Sequence, residues 1–239
     1  MTCDEYIFWG FMRNQPGGGH LCARKPHGFG PEYKCLSAVG IDVTTTFEHV
    51  CNAKHNKTRK YTKEYGACAA CVPCLCEASG IQGSERIVIC DSWFGGIRLP
   101  LGLRKIGLHS ISMIKTGSSG YCKDELKDKL MGDDIERSAH SVATTTVDGV
   151  KSFALAYWGK SEKGKKNKAT KTNFYSYFLA SECITTLDGK PAEKKWHYLN
   201  GSRAPSKFVP HCKAVEEYYE EMMASDTVNR NAQFLIGIE

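Results

Sequence analysis

Apolar and polar positions along the chain set out a succession of strands and helices. EYIFWGFM, residues 5–12, is aromatic and β-prone and predicts a strand at the very start. The next stretch, 15–31, carries Gly17, Gly18, Gly19, Pro26, Gly28, Gly30 and Pro31 and predicts a loop. Residues 33–53 predict two antiparallel strands, KCLSAVGIDV and TTTFEHVCNA, followed by a basic polar turn at 54–62. KEYGACAACVPCLCEAS, 63–79, predicts a helix of small residues bent at Pro73 and ended by Gly80 and Gly83. ERIVIC, 85–90, is a short continuous apolar run between polar residues, the mark of a buried central strand. Asp91 stands where that strand stops.

Residues 93–106 predict a helix that Pro100 interrupts or opens, and HSISMIKT, 109–116, alternates as a strand does. KDELKDKL, 123–130, predicts a short charged helix, and 139–158 a hairpin turning at Asp148-Gly149. GKSEKGKKNKATK, 159–171, reads as a low-complexity basic loop, NFYSYFLASEC, 173–183, as a strand, and 188–210 as irregular chain. The amphipathic segment AVEEYYEEMMAS, 214–225, predicts a last helix. No internal repeat and no domain boundary interrupts the order, so residues 1–239 read as one α/β unit with a β-rich insertion at about 130–210.

Composition narrows the classes. With 239 residues, 41% of them apolar, the chain can bury a sizeable core. No window of about 18 apolar residues occurs, so no membrane partner is expected. MTCDEYIFWGFMRN lacks the basic and apolar regions of a secretory signal, and a nuclear or cytosolic chain keeps its 12 cysteines reduced. A net charge of +6 permits a polyanionic partner without demanding one.

Asp91 is the sharpest chemical signal, because ligands of open α/β sheets gather beyond the carboxyl ends of the strands. The same aspartate would also serve as the N-cap of the segment that follows. Asp4 beside the first strand, and Asp226 after a helix bearing Glu216, Glu217, Glu220 and Glu221, read as surface acids when taken singly. Together, the order strand-Asp, strand-Asp, late acid matches a ribonuclease-H-like fold. Three carboxylates there converge on two divalent cations about 3.5–4 Å apart and cleave phosphodiesters. Magnesium is a hard cation that favours such oxygen ligands.

At ICDSWFGGIRLPLGLRKIG, 89–107, the chain resembles the aspartate-Ser-Trp-Phe segment of piggyBac-type transposases. TCDEYIFWGF resembles the family's first catalytic segment, and RKPHGFGPEYK, 24–34, its Lys-Pro, Gly, Lys stretch. AVEEYYEEMMASDTVNRN, 214–231, is similar to the third segment. The resemblance implies a ribonuclease-H-like mixed sheet flanked by helices, with a β-rich insertion before the last helix. It implies catalytic, metal-binding roles for Asp4, Asp91 and Asp226 with two Mg2+ ions, and a DNA partner (transposon ends and a TTAA-type target) in the nucleus. A homodimer is compatible with it.

The chain also departs from the family. Asn229 stands where many members have a further aspartate, and Ser225 where a small or β-branched apolar residue is usual. The N-terminal helical region and the C-terminal zinc module are expected to be missing, leaving a core cut short at both ends. A domesticated, non-catalytic DNA- or protein-binding domain is therefore the alternative.

Other signals stay two-sided. Lys160, Lys163, Lys165, Lys166, Lys168 and Lys171 either track DNA phosphate or form a solvated loop. Trp93 and Phe94 either pack and aim Asp91 or touch nucleotides. Cys68, Cys71, Cys74 and Cys76 either pack the core or, in a second alternative, hold zinc or an iron–sulfur cluster.

Overall fold

Nearly continuous burial along the central strands of the first half of the chain builds a sheet with two covered faces. A computed structural model describes residues 1–7, 20–21, 29–41, 43–50, 53–131, 140–165, 168–181, 189–194 and 207–235. The strands are β1 (Thr2–Ile7), β2 (His20–Leu21), β3 (Phe29–Gly30), β4 (Glu32–Ala38), β5 (Val43–His49), β6 (Ile87–Cys90), β7 (His109–Ile114), β8 (His140–Val147), β9 (Val150–Lys165), β10 (Lys168–Ser181), β11 (Gly189–Lys194) and β12 (Lys207–His211). The helices are α1 (Ala53–Thr58), α2 (Thr62–Tyr65), α3 (Cys71–Ala78), α4 (Leu99–Lys105), α5 (Lys123–Asp128) and α6 (Lys213–Leu235).

The main sheet has eight strands in the order β5-β4-β1-β6-β7-β10-β9-β8. Its first five are the ribonuclease-H-like unit. β1, β4 and β5 form an antiparallel meander, and β6 and β7 add in parallel on the other side of β1. β10 then pairs antiparallel with β7, and β9 and β8 continue outward, so the insertion extends the main sheet instead of standing apart. β11 and β12 make a separate ribbon.

One face packs α3 and α4 against Cys3, Leu36, Val88 and Cys90. The other receives α6, whose Ala214, Val215 and Tyr218 lie on Ile89, Ile111, Leu155 and Phe178. Among the described residues no helix is long and apolar enough to cross a membrane.

Several local expectations change. The segment 63–79 is two helices, parted at Gly66, whose φ is +84°. Pro73 sits in the first turn of α3, where its missing N–H costs nothing, so it causes no bend. Helical structure between 93 and 106 begins only at Leu99, with Pro100 in its first turn, because the preceding residues turn tightly against β7. The polar 54–62 segment contains α1. Within the basic stretch, 159–165 and 168–171 are strand, not loop: β9 and β10 stay paired from Ser152↔Ser181 out to Lys165↔Lys168. Part of 188–210 pairs as β11 with β12. The last helix runs through Asp226 to Leu235.

Candidate functional site

Period-two alternation decides which side chains share a face. In β6, Val88 and Cys90 join the α3–α4 core while Ile87 and Ile89 turn toward α6. In β1, Cys3 joins the α3–α4 core. Asp4 and Asp91 therefore both fall on the α6 face. Register places them together as well. Thr2 pairs with Ile89 and Cys3 with Cys90. Asp4 and Asp91 each come one residue after the last of these pairs.

Each carboxylate is aimed by backbone. Asp4 Oδ1 accepts the Glu5 N–H at 2.7 Å. Asp91 Oδ1 accepts the N–H groups of Trp93 at 2.7 Å and Phe94 at 3.3 Å, and its carbonyl accepts the Gly95 N–H at 2.9 Å. Asp91 thus caps a turn and not the helix expected after it, since α4 begins only at Leu99, and the turn fixes the orientation of one oxygen. Gly95 is required here, because an added Cβ would lie 2.1 Å from the Met113 carbonyl oxygen.

Sequence reasoning missed two neighbours. Lys34, opposite Glu5 in the β1–β4 register, is 1% exposed. Its ammonium pairs with Glu5 at 3.2 Å and with Glu32, and lies 3.6 Å from the centre of the Trp93 ring. Burial alone would lower its pKa, but the two glutamates outweigh that and hold it above the ordinary lysine value. Lys34 so ties β1, β4 and the Asp91 loop together. Tyr218 of α6 is the other. Burial pushes its phenol well up, and the charges of Asp91 and Asp4 both push the same way, so one phenol feels both aspartates.

Asp226 does not join them in this arrangement. It is exposed and lies eight residues beyond Tyr218, about 12 Å along the helix axis. Ser225 takes the buried position beside it. Among the described residues no three His, Cys, Asp or Glu side chains meet as a metal-ligand group. The four cysteines of the 68–76 segment diverge as well. Cys68 is exposed, Cys71 donates to Glu48 Oε2 at 3.3 Å, and burial pushes the thiols of Cys71 and Cys76 well up, against metal-ready thiolates. Of the lysine run, Lys160, Lys163 and Lys165 lie on β9 and Lys168 and Lys171 on β10, while Lys166 lies outside the described residues.

The Asp4–Asp91 pair fits a divalent cation in chemistry. It offers two hard oxygen donors, each held by backbone N–H groups, Asp4 from within β1 and Asp91 from just past the carboxyl end of the parallel neighbour β6.

The fold and this pair define an α/β sheet of the ribonuclease-H class. No protein-family model matches the sequence, and no curated protein matches it. Among solved structures, a piggyBac transposase in a synaptic complex with hairpin DNA shares the fold, with a TM-score of 0.62 and 17% identity. The match covers 96% of this chain and 39% of that one, so the chain spans well under half the length of its structural neighbour.

Proposed function

We propose that this chain is a piggyBac-type, transposase-derived core that acts on DNA, with Asp4 and Asp91 as the ligands of a divalent cation. The observation that carries the reading is the parallel β1–β6 register, which pairs Thr2 with Ile89 and Cys3 with Cys90 just before the two aspartates, in a sheet of ribonuclease-H order. The fold shared with a transposase solved on DNA supports it.

A magnesium ion held there would supply Lewis acidity, favouring a deprotonated nucleophile and easing departure of the leaving oxygen. The residues of the chain do the rest. Backbone N–H groups of Glu5, Trp93 and Phe94 hold the two carboxylates in place before any cation arrives. Lys34 fixes Trp93, and with it the loop that starts at Asp91. No side-chain nucleophile is required, since water and then a 3′ hydroxyl can attack. In this reading the lysines of β9 and β10 would follow DNA phosphates, and the wider reading takes in transposon ends, a TTAA-type target, a nuclear location and pairing of two copies.

Asp226 is the third carboxylate of the proposal. Its exposed place favours a second reading, a DNA-binding domain without catalysis. Supercoiled-plasmid nicking in Mg2+ or Mn2+, run beside a DNA-binding titration, separates the two. The catalytic reading expects nicking that EDTA, Asp4→Asn and Asp91→Asn each reduce to background with DNA affinity kept. Loss in Asp226→Asn as well brings that residue into the site. DNA binding with no nicking in either metal selects the second reading.

A further inference from the structure

Beyond the carboxyl ends of β6 and β7 lies a cleft of about 720 Å3. That is within the span of sites built for groups of small-molecule size, about 300–1,000 Å3. One wall is the loop that Asp91 begins, with Ser92, Trp93 and Gly95. The facing wall is the turn after β7, with Lys115 and Thr116, and the middle of the inserted strand β10, with Tyr175. Trp93 stands two residues from Asp91, at most about 7 Å of chain.

The walls combine three chemistries. Trp93 and Tyr175 are half-buried rings. Both are held, Trp93 by the Lys34 ammonium at 3.6 Å and Tyr175 by stacking on Tyr177, centroids 6.4 Å apart and planes 24° apart. Lys115 is an exposed cation at the rim, and Lys127 stands 5.8 Å from the Tyr175 ring centre. The hydroxyls of Ser92 and Thr116 add hydrogen-bonding partners. The Lys123 ammonium donates to the Thr116 carbonyl and steadies the turn. Asp124 of α5 is the nearby acid and leaves the rim net positive.

Fixed aromatic rings beside a cation recognise a base with a free face and a phosphate next to it. A base inside a duplex has no free face, because its neighbours stack on it. We propose that this cleft receives one unpaired nucleotide of the DNA beside the loop that Asp91 begins, its base on the Tyr175 and Trp93 rings and its phosphate at Lys115. The inference rests on the DNA reading above and adds the form of DNA that the site selects.

Fluorescence anisotropy with the whole chain tests it, using one labelled duplex with blunt ends and the same duplex with a four-nucleotide single-stranded 3′ extension. The extended DNA should bind about 5-fold tighter or more, the lower range of a single base–aromatic stack. Tyr175→Ala should abolish that preference while leaving blunt-duplex affinity in place, and Tyr175→Phe, which keeps the ring, should retain it. Lys115→Gln should flatten the salt dependence on the extended DNA by about one phosphate contact. Equal affinity of the unaltered chain for both DNAs, or a preference that survives Tyr175→Ala, overturns the inference and leaves the DNA reading standing. Binding to neither DNA overturns that reading, and this inference with it.

Discussion

Lys34 carries its charge where only 1% of the side chain meets water, and its partners are Glu5, Glu32 and the Trp93 ring. Replacing it by Met leaves two glutamates without their cation, a loss of about 3–5 kcal/mol for a broken buried pair. Urea unfolding should show this as a lower midpoint. A restored midpoint in the double variant Lys34→Met, Glu5→Gln would assign the cost to stranded charge and not to packing. At Gly95 the obstacle is steric. An alanine Cβ would meet the Met113 carbonyl at 2.1 Å, so Gly95→Ala should cost about 1–3 kcal/mol and loosen the turn that aims Asp91. The same denaturation experiment checks it, with Gly117→Ala, where nothing lies within 4 Å, as the control that should stay near the unaltered chain.

Buried acids of the weak kind set the pH response. Burial pushes the thiols of Cys71 and Cys76 and the phenol of Tyr121 well above their ordinary values, and that of Tyr6 to about 12. In the unfolded chain thiols titrate near pH 8.5 and phenols near 10. Below about pH 8.5 both states hold these protons, and the full stability is present. Above it the unfolded state releases protons that the folded state keeps, so stability falls as pH rises toward the folded values. The urea midpoint should therefore drop between pH 7.5 and pH 10.5, and a flat midpoint would contradict the burial of these groups.

At the scale of elements, the central strands were legible because ERIVIC and HSISMIKT have the patterns that buried parallel strands require. Asp91 was legible for the same reason, an acid where an apolar run stops. Lys34 was not, since Glu5 and Trp93 lie far from it in sequence and only the strand order β4-β1-β6 gathers them. The 159–171 stretch was misread because lysine and glycine are poor strand formers. There, pairing of β9 with β10 overrides local preference. Asp226 was read as following a helix because the apolar stripe fades after Tyr218, while the backbone continues helical to Leu235.

The β9–β10 hairpin carries its own prediction. Changing Lys160, Lys163, Lys165, Lys168 and Lys171 together to Gln should weaken DNA binding at low salt and reduce the salt slope by up to about 0.9 per lost duplex phosphate contact. The midpoint of urea unfolding should barely move, because the core residues of β9 and β10, such as Leu155 and Phe178, are untouched. An unchanged salt slope would remove this hairpin from the DNA interface.

Across the whole molecule, a three-strand meander and two parallel strands set residue 4 of β1 beside the strand that residue 91 follows, and the inserted strands carry the same sheet onward past β7. This makes the insertion a rigid continuation of the site's own floor, so that Tyr175 of β10 and Trp93 beside Asp91 can face one cleft. α6 closes the aspartate face through Tyr218, and a movement of this helix would alter both the cover and the place of Asp226.

The claim on which the rest depends is that Asp4 and Asp91 share a cation. Anomalous diffraction from crystals grown in manganese tests it most directly. The account predicts a manganese peak bridging the Asp4 and Asp91 carboxylates, and its loss in Asp91→Asn. Saturating manganese with no peak between those two side chains would contradict it.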